Sequence, residues 1–95
     1  MYVRITRGRY DTSREEALLR LGPEVIIPVF RRLPGFRKYH GGINRTNGTL
    51  VAVSYWETQE QANGLRDLIG EVVAQIAAAG IALDPAEVYE VVADS

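Results

Sequence analysis

The sequence predicts an α+β domain in which two helices cover one face of a four-stranded antiparallel sheet. Three observations carry that expectation. Ser13-Arg14-Glu15-Glu16 and Thr58-Gln59-Glu60-Gln61 both have the capping-box pattern, and each opens a stretch with apolar residues at three- and four-residue steps. Asn47-Gly48, the dipeptide that most readily supplies two positive φ angles, separates two strand-like runs. Short runs of strand character also stand at the two ends of the chain, completing the order β-α-β-β-α-β.

The first strand is expected over Tyr2 to Arg7, with Val3 and Ile5 on one face and Tyr2, Arg4 and Thr6 on the other. In the helix that follows, Leu18, Leu21, Val25, Val29 and Leu33 form an apolar stripe widened by Leu19, Ile26 and Phe30. Gly22-Pro23 and Pro28 interrupt it, and a break near Gly22 with Pro23 restarting the helix is expected, because proline lacks an N–H and crowds the preceding turn. Leu33-Pro34-Gly35 ends it: Pro34 cannot continue a helix and Gly35 can take a positive φ.

A second strand is expected from about Phe36 to Ile43, paired through the Asn47-Gly48 turn with Leu50 to Trp56. That third strand is apolar on both faces, Leu50, Ala52 and Trp56 against Val51, Val53 and Tyr55, so it is expected to be central and covered on both sides. The second helix runs from the Thr58 box to Gly80 with a stripe containing Ala62, Leu65, Ile69, Val72, Ile76 and Ala79. Gly64 and Gly70 within it cost roughly 1 kcal/mol each relative to alanine, and close packing is the expected compensation. Asp84-Pro85 marks a turn before a last short strand, Val88 to Val92.

Right-handed crossovers place the four strands in the order 4-1-3-2, the ferredoxin-like plan. No linker, repeat or low-complexity tract divides residues 1 to 95, which read as one domain. Because helices cover one sheet face while the third strand is apolar on both, a second copy is expected on the open face, giving a homodimer with its sheets face to face.

Composition excludes several function classes. Without cysteine there is no disulfide scaffold, thiolate nucleophile or iron–sulfur ligand set, and one histidine excludes a histidine-rich metal site within one chain. No run approaches the roughly 18 apolar residues of a membrane span, and the N-terminus lacks an apolar signal core, so a cytoplasmic location is expected.

The net charge of −1 conceals an asymmetry. Residues 1 to 48 hold ten bases and four acids, a balance of +6, whereas residues 49 to 95 hold Arg66 against eight acids, a balance of −7. With the first and last strands adjacent, cross-strand pairing of arginines with Glu87 and Glu90 is expected. A nucleic-acid partner is not expected, because the domain as a whole is not basic and the third strand carries aliphatics where an RNA-recognition module of the same element order places stacking rings.

Three stretches, Leu33-Pro34-Gly35-Phe36, Tyr55-Trp56-Glu57-Thr58 and Glu87-Val88-Tyr89-Glu90, together with the element order, resemble the antibiotic-biosynthesis-monooxygenase-like proteins of the dimeric α/β-barrel superfamily. The resemblance covers nearly the whole chain. It implies a face-to-face dimer, a small apolar cavity between sheet and helices, and in some members oxidation of phenols, quinols or anthrones by O2 without a cofactor. Family enzymes acting on aromatic polyketides carry an asparagine four residues before the tryptophan and an aromatic phenol six after it. Trp56 matches the tryptophan, and those two positions hold Ala52 and Ala62. The asparagine and histidine of the haem-degrading members have no counterpart on the first strand or second helix, so haem is not an expected ligand.

The candidate catalytic residues are His40 and Trp56, and the candidate substrate contacts are Tyr39 and Tyr55. Histidine is the residue type that titrates near neutrality, which makes His40 the candidate to deprotonate a phenol; its alternative role is that of an ordinary strand residue. Trp56, Tyr39 and Tyr55 equally suit core packing. Two functional readings follow: a cofactor-free monooxygenase of a small hydroxylated aromatic, or a non-catalytic dimeric domain that binds a small apolar ligand or serves assembly only.

Overall fold

The computed structural model describes every residue from Met1 to Ser95. Strand β1 (Tyr2–Tyr10) forms the middle of the sheet and extends three residues beyond the expected end. Strands β2 (Phe36–Asn44) and β3 (Thr49–Trp56) make the anticipated hairpin, with β3 antiparallel to β1 along its whole length. The last strand is divided. Strand β4 (Ile81–Leu83) pairs with Gly8–Tyr10, and β5 (Glu87–Glu90), in place of Val88 to Val92, pairs with Tyr2–Ile5.

The sheet therefore has five antiparallel strands in the order β2-β3-β1-β4, with β5 sharing the same edge of β1. The expected 4-1-3-2 order survives with its fourth strand in two pieces, separated by the Asp84-Pro85 turn. Gly8 permits the first piece, because a Cβ there would lie 2.5 Å from the Ala82 carbonyl oxygen.

The first helical segment differs from its expected form at both ends of its first half. Asp11, not Ser13, caps the entry: its carboxylate accepts from the Ser13 N–H at 2.9 Å and the Ser13 hydroxyl at 2.6 Å, starting a single 3-10 turn at Thr12–Arg14. Helix α1 (Glu15–Leu21) then runs without a break into a π turn (Gly22–Ile26) and α2 (Ile27–Phe30). Pro23 leaves a carbonyl of the preceding turn without its donor, and the Ile27 N–H donates to Gly22 five residues back, so the helix widens instead of ending. The extra residue shifts the inward position: Leu21, Ile26 and Phe30 are buried, Val25 and Val29 are only half-buried, and Leu19 is exposed.

Gly35, at φ +80°, turns the chain into β2. The hairpin turn uses one positive φ, at Gly48 (+68°); Asn47 stays at negative φ and its side chain accepts from the Thr49 N–H at 3.2 Å. The Gly48 N–H bonds to the Asn44 carbonyl across a four-residue turn, a looser closure than the tight turn with two positive φ angles that was expected.

The second helical segment is two helices, α3 (Gln59–Leu68) and α4 (Gly70–Ala78), broken at Ile69 (φ −122°, ψ 35°). The Thr58–Gln61 capping box forms as expected at the start of α3. A Cβ at Gly64 or Gly70 would have nothing within 4 Å, so close packing does not account for either glycine. Leu65, Ile69 and Val72 are buried on the inward side. No helix is long and apolar enough to cross a membrane.

The charge asymmetry resolves into exposed pairs. Arg7 of β1 meets Glu87 of β5, Arg9 approaches Asp84 at 3.9 Å, and Arg37 meets Glu57 at 3.2 Å. Glu90, expected in such a pair, makes none, because its register partner is Tyr2. Arg45 pairs instead with Glu15 of its own half at 3.0 Å.

Candidate functional site

Strand parity decides which residues meet under the helices. Opposed residues share a face, so the Tyr2–Trp56, Arg4–Ser54, Thr6–Ala52 and Gly8–Leu50 pairs of β1 and β3 lie on the helix side. Val3, Ile5, Val51, Val53 and Tyr55 lie on the open side. In β2 an irregularity between Phe36 and Lys38 inserts Arg37 as an extra residue, which puts both Phe36 and Tyr39 on the helix side. Their rings stand 6.1 and 5.5 Å from that of Phe30 in edge-to-face geometry, and Phe30 also packs against Trp56 at 5.7 Å.

Phe30 and Tyr39 of this aromatic group line a cavity of about 210 Å³ between sheet and helices. A second cavity of about 280 Å³ adjoins it towards the π turn, and the two share the walls Ile26, Tyr39, Ala52, Ile76, Ile81 and Leu83. Each is lined by 18 residues of which 13 are hydrophobic, so the few polar groups determine how a ligand would sit. In the inner cavity these are Arg4, Thr6, Tyr39, Ser54 and Arg66, with Asp84.

Each polar group has a definable state. Burial raises the Tyr39 phenol above its ordinary value, which keeps it a protonated hydrogen-bond donor. Ser54, 4% exposed, accepts the Trp56 indole N–H at 2.9 Å. Arg4 is half-buried and donates to the Ala62 carbonyl at 2.8 Å; burial, and then the neighbouring Arg66 charge, lower its value.

The four residues singled out from the sequence divide between the two faces of the sheet. Tyr39 lines both cavities. Trp56, 1% exposed, lines neither cavity; it is packed in the core with its N–H donated to Ser54, itself in the inner cavity's lining. His40 is exposed and its ring stands 5.9 Å from that of Tyr55, on the open side; it borders only the outer cavity. The expected convergence of His40 with Trp56 is therefore not made, because the inserted Arg37 reverses the parity of β2 and the sheet separates them. Ala52 lines the wall of both cavities, and Ala62 is fully buried beneath Arg4.

Arg4, Ser54 and Arg66 were not among the sequence candidates. The face of the first strand that holds Arg4 was legible from alternation, yet its apolar residues Val3 and Ile5 marked the other face as the buried one. Only the pairing of Tyr2 with Trp56 shows that Arg4 faces the helices.

Solved structures match this arrangement over nearly the full chain. A protein assigned as an antibiotic biosynthesis monooxygenase from Deinococcus radiodurans superposes with a TM-score of 0.78 at 14% identity, covering 100% of this chain and 96% of that one. The ActVA-Orf6 monooxygenase of Streptomyces coelicolor, in complex with nanaomycin D, gives 0.64 at 16% identity, with 99% and 92% covered. The chain has the fold of the antibiotic biosynthesis monooxygenases. SnoaB from Streptomyces nogalater, a cofactor-independent oxygenase of that fold seen as its N63A variant, also gives 0.64 at 15% identity, with 98% and 94% covered. No family model and no curated protein matches the sequence. Within the monooxygenase fold, the cavity described above is the concave apolar space that the helices and sheet enclose.

Proposed function

We propose that this protein is a cofactor-independent monooxygenase of a small planar hydroxylated aromatic. The observation that carries this reading is the pair of adjoining apolar cavities with Tyr39 in their common wall. An apolar cavity of about 150 Å³ takes up benzene, so the inner cavity matches a one- or two-ring system and the outer one extends it. The likeness of fold to SnoaB and ActVA-Orf6 supports the reaction class.

In such a reaction the substrate is its own reductant. An anthrone methylene, for example, becomes a carbonyl: its two C–H bonds break, one oxygen atom of O2 joins the carbon, the other leaves as water, and the substrate supplies all four electrons. The chain's part is to exclude water with Phe30, Leu65 and Val72, to donate a hydrogen bond from Tyr39, and to present Ser54, whose orientation Trp56 holds.

The open face belongs to the same reading. Val3, Ile5, Val51, Val53 and Tyr55 are only half-buried there, with Tyr89 exposed beside them, and a second copy laid face to face would cover them together with His40. Light scattering tests the dimer: a monomer at micromolar concentration overturns it. The enzyme reading is tested by O2 uptake with a panel of quinols and anthrones. Turnover above the buffer background that falls in Tyr39→Phe supports it. Binding without turnover favours the non-catalytic reading, for which the absence of any imidazole from the inner cavity speaks.

A further inference from the structure

The inner cavity holds two guanidiniums and an incomplete set of partners for them. Arg4, on β1, spends one donor on the Ala62 carbonyl of α3. Arg66 lies one helical turn beyond Ala62 on the same helix, and both cations line the cavity, with the Arg66 charge adding to burial in lowering the Arg4 value. Neither forms an ion pair within 4.0 Å, although five other arginines of this chain do. Asp84 is the acid on the cavity lining, and its carboxylate approaches Arg9.

Arg4 is half-buried, so its solvation is weakened, and the like charge of the exposed Arg66 beside it adds a repulsion that an anion between them would relieve. A guanidinium also presents a planar fork of donors matched to a carboxylate, and it holds phenolate oxygen by charge-assisted hydrogen bonds.

We propose that Arg4 and Arg66 form an anion clamp at the edge of the inner cavity, selecting a planar aromatic whose acidic oxygen, a ring carboxylate or a ring phenolate, sits between the two guanidiniums. This rests on the aromatic-cavity reading above and narrows its substrate class. For a phenol or quinol, the clamp would favour the deprotonated form that donates electrons to O2, the proton passing to water at the cavity mouth. It supplies by charge the assistance that an imidazole on the far side of the sheet does not.

The test uses calorimetry with 2-naphthoate, its neutral counterpart 2-naphthamide, and 2-naphthol, on the wild-type chain and on Arg66→Gln and Arg66→Glu. Arg66 is exposed and outside the core, and equal urea midpoints would verify that the variants fold. The expected result is at least tenfold tighter binding of 2-naphthoate than of 2-naphthamide, weakened by salt. That preference should fall three- to tenfold in Arg66→Gln and vanish in Arg66→Glu, with the amide affinity within twofold throughout. The phenolate arm is read by absorbance: bound 2-naphthol should ionise at lower pH than free 2-naphthol, and less so in Arg66→Gln. A carboxylate preference without a naphthol shift assigns the clamp to carboxylates, and the converse assigns it to phenolates. Equal affinity for anion and amide with no naphthol shift overturns the clamp and leaves the aromatic cavity standing. Binding of none of the three overturns both.

Discussion

Ser54→Ala is the substitution whose effect the structure specifies most closely. The Ser54 hydroxyl is the hydrogen-bond partner of the Trp56 indole N–H, at 2.9 Å, and Trp56 is only 1% exposed. No buried side-chain polar atom in the chain lacks a partner, so the substitution would create the first. An orphaned buried donor costs about 1–3 kcal/mol, and at about 2 kcal/mol the folding equilibrium falls about 30-fold. With a urea m-value of about 1–3 kcal/mol/M, the midpoint should drop by about 1 M with m unchanged. The assay is equilibrium urea unfolding followed by far-UV circular dichroism at one fixed protomer concentration, because dimerisation would make the midpoint concentration-dependent. A double-mutant cycle with Trp56→Phe isolates the pair, since the phenyl ring has no N–H to orphan. A coupling energy below about 0.5 kcal/mol would refute the argument that the bond, and not the lost hydroxymethyl packing, sets the cost.

Three further outcomes are expected. Gly8→Ala should destabilise by about 1–3 kcal/mol through overpacking against the Ala82 carbonyl, with hydrogen exchange at Ile81–Leu83 accelerated ahead of the rest of the sheet. Acid should weaken the fold in a defined direction. Hydrogen bonds from Ser13 hold Asp11 below the ordinary carboxylate value, and Arg45 followed by Tyr10 does the same for Glu15. Their contribution is therefore complete above about pH 5 and lost as pH falls through the lowered folded-state values, so Asp11→Asn should give a shallower acid limb in urea midpoint against pH. Val53→Asp, which puts a charge in the open face, should halve the mass seen by light scattering while leaving the circular dichroism spectrum unchanged.

Local chemistry carried most of the architecture. The Thr58–Gln61 box and the apolar β3 each depend on residues within a few positions of one another and are found where the sequence places them, whereas the first helical segment ends at Phe30, three residues before the expected end at Leu33, and Gly35 supplies only the positive φ of the turn into β2. Local rules were less informative where two outcomes differ by one residue. Pro23 could end a helix or widen it, and the packing of Ile26 and Phe30 under a continuous segment goes with the π turn. Asp84-Pro85 interrupts the last strand without preventing three residues before it from pairing, because Gly8 leaves room on β1.

The candidate site was legible in composition and illegible in placement. From the sequence alone came the βαββαβ order, the helix-covered sheet and the two-sided apolar β3, all of which follow from periodicity and capping, while the cavity came from the family resemblance and Tyr39 is the one aromatic candidate that lines it. Only the tertiary structure decided which face each side chain takes. A single inserted residue, Arg37, turns Tyr39 inward and His40 outward, and the register of β1 against β3 turns Arg4 inward and Val3 outward. The physical reason is that side chains alternate along a strand with a period of two, so one residue of bulge or register reverses the facing of every residue beyond it.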